Sequence, residues 1–444
     1  MGLIIGIGNT KPTFPYDYYY GVKINTNVAD TTLERVGRPE LHASLPIQSR
    51  MRRCLLNDSG EVVTYLHPTD STKTDTGAAA DLTGAGGMVM VEIPEHYRKF
   101  EFDGTSILAL VSEVPLPGFH KVRKVYRSAY EATVDRTTAS TPKLASVVNT
   151  TANFRGGNNT AAWDTTYRSL LGKPATNISL TNFREYARNR GTAGLNGVGW
   201  NCDLYEAQLN TYWLFVIEYA QLNSQAAFTA ELTSEGCRQG GLGAGVTTLK
   251  AGKWSSFNNN NPLVPCGTTN SLGNMTGEVS ITMPNEYDSI ATTVSVPSYR
   301  GIENPFGHIW CLTDGVLVQV RSDTEGDKHL FFRAIEDNPD RFQNKSYDGY
   351  TMRGEIPTSD GYIKSLLCGE FGDNIPLAIG AGSTTYFTDY FYQRKITTGT
   401  SLSVVIFGGC ARHVFLAGLL SVGVDYTPDS IAPHIGSRLC FIPE

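Results

Sequence analysis

Residues 407–441 read FGGCARHVFLAGLLSVGVDYTPDSIAPHIGSRLCF, and the fold is decided there. Gly408-Gly409 and Gly418 let the backbone take φ > 0 and approach other backbone closely. A turn-rich piece follows, then a compact strand, IGSRLCF. A chain that closes on such a strand has its C-terminus tied into a sheet. Between the glycines and that strand lie side chains of mixed character: Cys410, Arg412, His413, Phe415, Leu420, Asp425 and Tyr426. The composition is that of a displayed surface on a rigid frame, where binding usually sits. The alternative is an ordinary Gly-rich hairpin packed in a core.

Working outward, the chain has 444 residues, 41% hydrophobic and only 18% charged, which is a globular composition with room for two to four domains. Abundant Gly and Tyr, with frequent turn signals, favour short strands and long ordered loops. A net charge of −6 without a basic stripe argues against nucleic acid, because phosphate contacts need clustered Lys and Arg. Neither a signal peptide nor a membrane-spanning apolar run is legible, so membrane insertion is not expected. The eight cysteines include no CxxC pair, which disfavours zinc and redox motifs and points to buried free thiols.

Residues 1–22 read as a docking arm onto another protein. PYDYYYG crowds Tyr16, Tyr18, Tyr19 and Tyr20 around Asp17, and Tyr suits interfaces because it buries apolar area while its hydroxyl finds a partner. Residues 23–125 read as a β-rich domain with strands in MRRCLLN, EVVTYLHP, MVMVEIP, HYRKFEFDG and SILALVSE. Asp103-Gly104 signals a hairpin between the last two. Residues 135–165 are a polar loop or linker. A helix follows with Ser179 or Thr181 as N-cap, and a second spans Asp203 to Gln225 with apolar residues near a 3.6 period, nearly all round. Strands EVSITMP and ATTVSVPSYRG come next.

The next segment, GIENPFGHIWCLTDG (301–315), carries a family resemblance. Gly307-His308-Ile309-Trp310 resembles the GN-x-W-E-W element of the C-type-lectin-like fold of formylglycine-generating-enzyme-like proteins. The stretches Ala187 to Gly191 and Trp200 to Tyr219 resemble its two helices. Phe407-Gly408-Gly409 and Ile435-Gly436-Ser437-Arg438-Leu439 resemble its closing strands. The pattern is most similar to the variable-protein branch, which includes phage receptor-binding proteins and retroelement-diversified proteins. It covers about residues 126–444. LHASLPIQSRMRRCLLNDSGEV and MVMVEIPEHYRKF are also similar to the front half of Bacteroides phage tail or fibre proteins.

The resemblance implies an α+β protein: a β-rich N-terminal domain (23–125), then a C-type-lectin-like domain (126–444) with two helices and short twisted sheets. It implies ligand contacts between the GG and the closing strand: Cys410, Arg412, His413, Phe415, Leu420, Val422, Asp425 and Tyr426. It implies a phage virion structural or adhesion protein, assembled in the bacterial cytoplasm and exposed on the particle. Such a protein contacts other virion proteins through its arm and a host surface glycan or protein through its C-terminal domain; homotrimerisation would add avidity. Other readings are a bacterial lectin-like adhesin and a glycan-cleaving tailspike-type enzyme. Where the family has a Trp after GG, this chain has Cys410, and the interval is not Asn- and Tyr-heavy, so active diversification is not expected. Cys410 and Cys440 do not match the family's reactive pair, so the oxidase activity is not carried over.

No catalytic residue, metal or cofactor is assigned. Cys410 and His413 stand three apart, but a Cys/His dyad needs hydrogen-bond reach and a third group to orient the His. SDTEGDKH (322–329) offers carboxylates on one stretch, which reads as a solvated hairpin turn; its alternation resembles half of an EF-hand loop without the remaining ligands. His308 is expected to pack on Trp310. In TTYFTDYFYQ, alternate aromatics should face opposite sides of a strand.

Overall fold

The computed structural model describes residues 16–159, 169–191, 199–228, 263–283, 292–334 and 338–443. It is a β-dominated α+β fold with three α-helices among the described residues: α1 (Pro39–Ser44), α2 (Leu180–Arg188) and α3 (Tyr205–Tyr219). Three large sheets surround α3. No helix among the described residues is long and apolar enough to cross a membrane.

The first sheet holds five strands, ordered Glu34–Gly37, Tyr19–Asn25, Ser106–Ser112, His96–Phe102 and His120–Val122. The expected hairpin is present: the Asp103 carboxylate accepts from the N–H groups of Thr105 and Ser106, and Gly104 sits at φ 92°. Tyr19–Asn25 is an inner strand, paired on both sides. The arm boundary expected at residue 22 therefore cuts through a strand. Tyr20 is fully buried; its hydroxyl donates to Gln48 Oε1 at 2.6 Å. Tyr19 is half-buried against Phe119, and Tyr18 is exposed. Tyr20 is thus core of its own sheet, where a buried Tyr needs an internal hydroxyl partner.

The second sheet decides the architecture. Its order is Gly199–Cys202, Leu439–Ile442, Val125–Ser128, Met88–Ile93, Arg52–Leu56, Val62–His67 and Asp70–Thr74. The closing strand lies between Val125–Ser128 and Gly199–Cys202, with Tyr126 and Trp200 both opposite Phe441. The boundary expected between residues 125 and 126 falls inside this sheet, and N-terminal and C-terminal strands share its ladder. Burial explains this. Met88–Ile93 and Leu439–Ile442 are buried along their whole length, so each needs neighbours on both edges and cover on both faces.

The third sheet is ordered Thr351–Ile356, His329–Arg333, Trp310–Arg321, Thr400–Phe407, Val422–Val424, Tyr390–Gln393, Gly361–Cys368 and Asp373–Ile379, with Ile435–Gly436 alongside Trp310. It curls toward a barrel, and its two edge strands meet where Arg353 Nε donates to Asp373 Oδ2 at 2.8 Å. Residues 322–329 are the hairpin turn expected there.

Helix α3 is wedged between the first and third sheets. It is buried nearly all round, as its apolar composition requires. It ends at Tyr219, short of the expected Gln225, because Ala220 turns left-handed (φ 49°) and the backbone of Ala220 and Leu222 bonds to residues 31–33. Helix α2 begins at the expected N-cap, with Ser179 Oγ accepting from Asn182 N–H.

Guanidinium–carboxylate pairs join these bodies. Arg127 of the second sheet donates Nε and Nη2 to the two Asp203 oxygens at 2.9 and 2.7 Å, and also reaches Thr211 and Gln208 on α3. Arg184 of α2 grips Asp314 of the third sheet at 2.7 Å through each of two nitrogens, and Asn201 adds a third donor. Arg98 and Arg333 meet on Glu206 of α3.

Candidate functional site

The terminal segment leaves the Thr400–Phe407 strand through Gly408 and Gly409, both at positive φ. A Cβ on Gly409 would come within 2.9 Å of Ala417 Cα, so the loop closes on itself only with glycine there. Between the two touching points, Ala411–Leu416 forms a 3₁₀ turn. The i→i+3 geometry of that turn folds His413 back over Cys410. His413 Nδ1 accepts from the Cys410 N–H at 3.0 Å and lies 3.3 Å from the Cys410 thiol. The short spacing therefore does bring the pair into reach. The backbone N–H engages the ring nitrogen's lone pair, and Cys410 itself is fully buried.

The expected recognition set divides in two. Cys410, Leu420 and Val422 are wholly buried, so they are core rather than displayed surface. Leu420 packs inward because its N–H is taken by Asp389 Oδ2 at 2.8 Å, and Val422 because it pairs with Phe407 and Phe391 on its two sides. Phe415 is 46% exposed, and His413, Asp425 and Tyr426 are half-buried. The side chain of Arg412 and that of Tyr16 lie outside the described residues, as does Cys237. The described cysteines are free thiols, all buried except the partly exposed Cys311.

An aromatic ladder runs up to the turn. Tyr362 meets Tyr390 edge-on at 5.1 Å, Tyr390 meets Tyr392 at 4.8 Å, and Tyr392 meets His413 at 4.9 Å. Trp310 closes the far end, edge-on to both Tyr392 and His413. Strand alternation makes this possible: Tyr390 and Tyr392 share one face while Phe391 is buried on the other. Tyr362 was not singled out in the sequence. Its signal is the alternation in Gly361-Tyr362-Ile363, where Ile363 is core.

His308 is not a stacking partner of Trp310. Its Nε2 accepts from the Val264 N–H at 2.9 Å, which leaves the proton on Nδ1 to be donated to the Glu131 carboxylate. It locks two loops together. Arg438 is likewise frame, donating to the backbone carbonyls of Glu303, Asn304 and Ser128.

Two carboxyls near the turn have unusual environments. Asp389 is fully buried, and burial pushes its carboxyl up to about 8 against the opposing pull of the Leu420 N–H. A Cβ on Gly418 would come 1.9 Å from Asp389 Oδ1, so the glycine is the space the acid occupies. Burial also raises Asp425, to about 6. Its Oδ1 and the Tyr392 hydroxyl are buried without a hydrogen-bond partner among the described residues. Among the described residues no group of three His, Cys, Asp or Glu side chains is placed to hold a metal ion.

No protein-family model and no curated protein matches this chain.

Proposed function

We propose that this chain is a virion structural and adhesion protein of a phage, which docks to the particle through its N-terminus and recognises a host surface glycan or protein through the C-terminal half. In this reading the C-terminal half is a C-type-lectin-like scaffold, and several copies, as a homotrimer, multiply weak contacts. The observation that carries the reading is the aromatic ladder Tyr362–Tyr390–Tyr392–His413, whose last member shares a 3₁₀ turn with exposed Phe415. Flat aromatic faces bury area at low rotamer cost, which suits both sugar rings and protein loops. Gly408 and Gly409 close the loop tightly beside that face, which limits the ordering needed on contact.

Host-cell binding by the full chain tests this. Phe415→Ala and Tyr390→Ala should weaken attachment while leaving the fold intact; unchanged attachment by both variants overturns the recognition role. The docking role is tested by deleting residues 1–15 only, because residues 19–22 are part of an inner strand. The truncated chain should fold and fail to enter particles, and normal incorporation overturns docking.

A further inference from the structure

A concave site elsewhere in the molecule is lined by no residue of the terminal segment. It is a cleft of about 630 Å³ between the Thr83–Gly87 loop, the Asn57-Asp58 turn and the Thr133–Ala145 hairpin. That volume falls within the roughly 300–1,000 Å³ of small-molecule sites.

Its charges cancel. The Asp58 carboxylate is gripped on one oxygen by Arg190 at 2.7 Å and on the other by Lys143 at 3.2 Å. Arg190 is almost fully buried, and its Nε is committed to the Leu144 carbonyl. The one further carboxylate, Asp135, already accepts from the Thr137 N–H at 2.9 Å. Two cations therefore face two carboxylates, and both cations are engaged. An anionic ligand would have to break these pairs, and a metal ion finds no set of three ligands.

What the cleft offers instead is neutral. The Ala85 and Gly86 peptide groups line it and make no hydrogen bond within the described protein. Gly84 and Gly87, at φ 103° and 120°, hold them in a tight loop, so donors and acceptors stand side by side. Beside them are apolar surfaces: Val63, 56% exposed, and half-buried Phe154. Alternating hydroxyls with a C–H face are the chemistry that matches adjacent donors, acceptors and an apolar wall. We infer that this cleft binds a neutral saccharide, independently of the terminal aromatic face.

The test is a glycan array probed with the full chain, carrying neutral hexose oligosaccharides alongside sialylated, sulfated and phosphorylated ones. Neutral probes should bind. Val63→Asp and Ala85→Trp, both changes at exposed positions of the cleft wall, should each weaken that binding about tenfold or more, while Phe415→Ala leaves it unchanged. Retention of neutral-glycan binding in both cleft variants overturns the inference, as does binding confined to anionic probes or absent altogether. Loss of neutral binding in Phe415→Ala with retention in Val63→Asp assigns the sugar to the terminal face and overturns the cleft alone.

Discussion

The seams between sheets and the loop at the C-terminus treat buried acids in opposite ways. At the seams, Asp203 and Asp314 are each held in two-point contact by a guanidinium. For Asp314, burial alone would raise the carboxyl, but Arg184, helped by Asn201 and the Gly315 N–H, outweighs it and holds the group below the usual carboxylate range. Under the terminal loop, Asp389 meets no cation and a single backbone N–H among the described residues, so burial holds its carboxyl up at about 8 and it keeps its proton at neutral pH. The seam acids fix how the sheets meet, since a two-point pair is directional. The loop acid fixes nothing at a distance; it fills a space left by Gly418 and caps one peptide. The frame is thus electrostatically locked and the display loop is not.

The largest expected effect breaks a seam. Arg184→Leu leaves Asp314 charged and buried with Asn201 and the weakly donating Cys202 thiol as its remaining side-chain donors, which should cost about 3–5 kcal/mol. Chemical denaturation read by tryptophan fluorescence checks this, since Trp310 begins the strand that carries Asp314. Arg184→Leu combined with Asp314→Leu should recover much of the loss, because a buried pair is worth far less than the cost of orphaning one partner. A double variant no better than the single one would mean that the pair also sets the docking of α2.

The second effect has its own pH signature. The folded chain keeps a proton on Asp389 up to about pH 8, whereas an unfolded carboxyl loses it near pH 4. Across that window the folded state binds more protons, so stability falls as pH rises, by up to roughly 1.4 kcal/mol per pH unit. Asp314 has the opposite sign: its folded carboxyl sits below the unfolded value, so its contribution is present above about pH 4 and lost as pH falls through the folded range. Asp389→Asn keeps an acceptor for the Leu420 N–H and cannot ionise. Urea midpoints at pH 5, 6.5 and 8 should decline in the parent chain; in the variant the decline between pH 6.5 and 8 should disappear, while Asp425, raised to about 6, still contributes below that range. Parallel profiles would place the Asp389 charge in solvent contact.

Local signals made much of the scaffold legible. Ser179 capped its helix, Asp103-Gly104 turned its hairpin, and the apolar period of residues 204–217 marked α3, because each depends on neighbours a few residues away. The domain boundaries were not legible. The partner of Leu439–Ile442 lies more than 300 residues earlier at Val125–Ser128, and no local pattern encodes that pairing. The site was half legible for the same reason. Gly408-Gly409 and Phe415 announced a framed loop, but Leu420 and Val422 read as display, because neither the Asp389 carboxylate that takes the Leu420 N–H nor the strand partners of Val422, Phe407 and Phe391, is visible in local sequence. The three-residue spacing of Cys410 and His413 brings them into reach only because a 3₁₀ turn follows, and that turn is not written in the spacing itself.

The smallest expected effect on stability sharpens the contrast most. Phe415 is 46% exposed and belongs to the turn rather than to the buried clusters, so Phe415→Ala should shift the denaturation midpoint by no more than about 0.5 kcal/mol. Phe407, eight residues earlier and fully buried against Tyr205, is its internal control: Phe407→Ala should cost about 3–5 kcal/mol. If Phe415→Ala proved as costly, the turn would be part of the locked frame, and the aromatic ladder would be packing rather than display. If it is silent in stability and damaging to host-cell attachment, the exposed ring is held there for contact with something outside the chain.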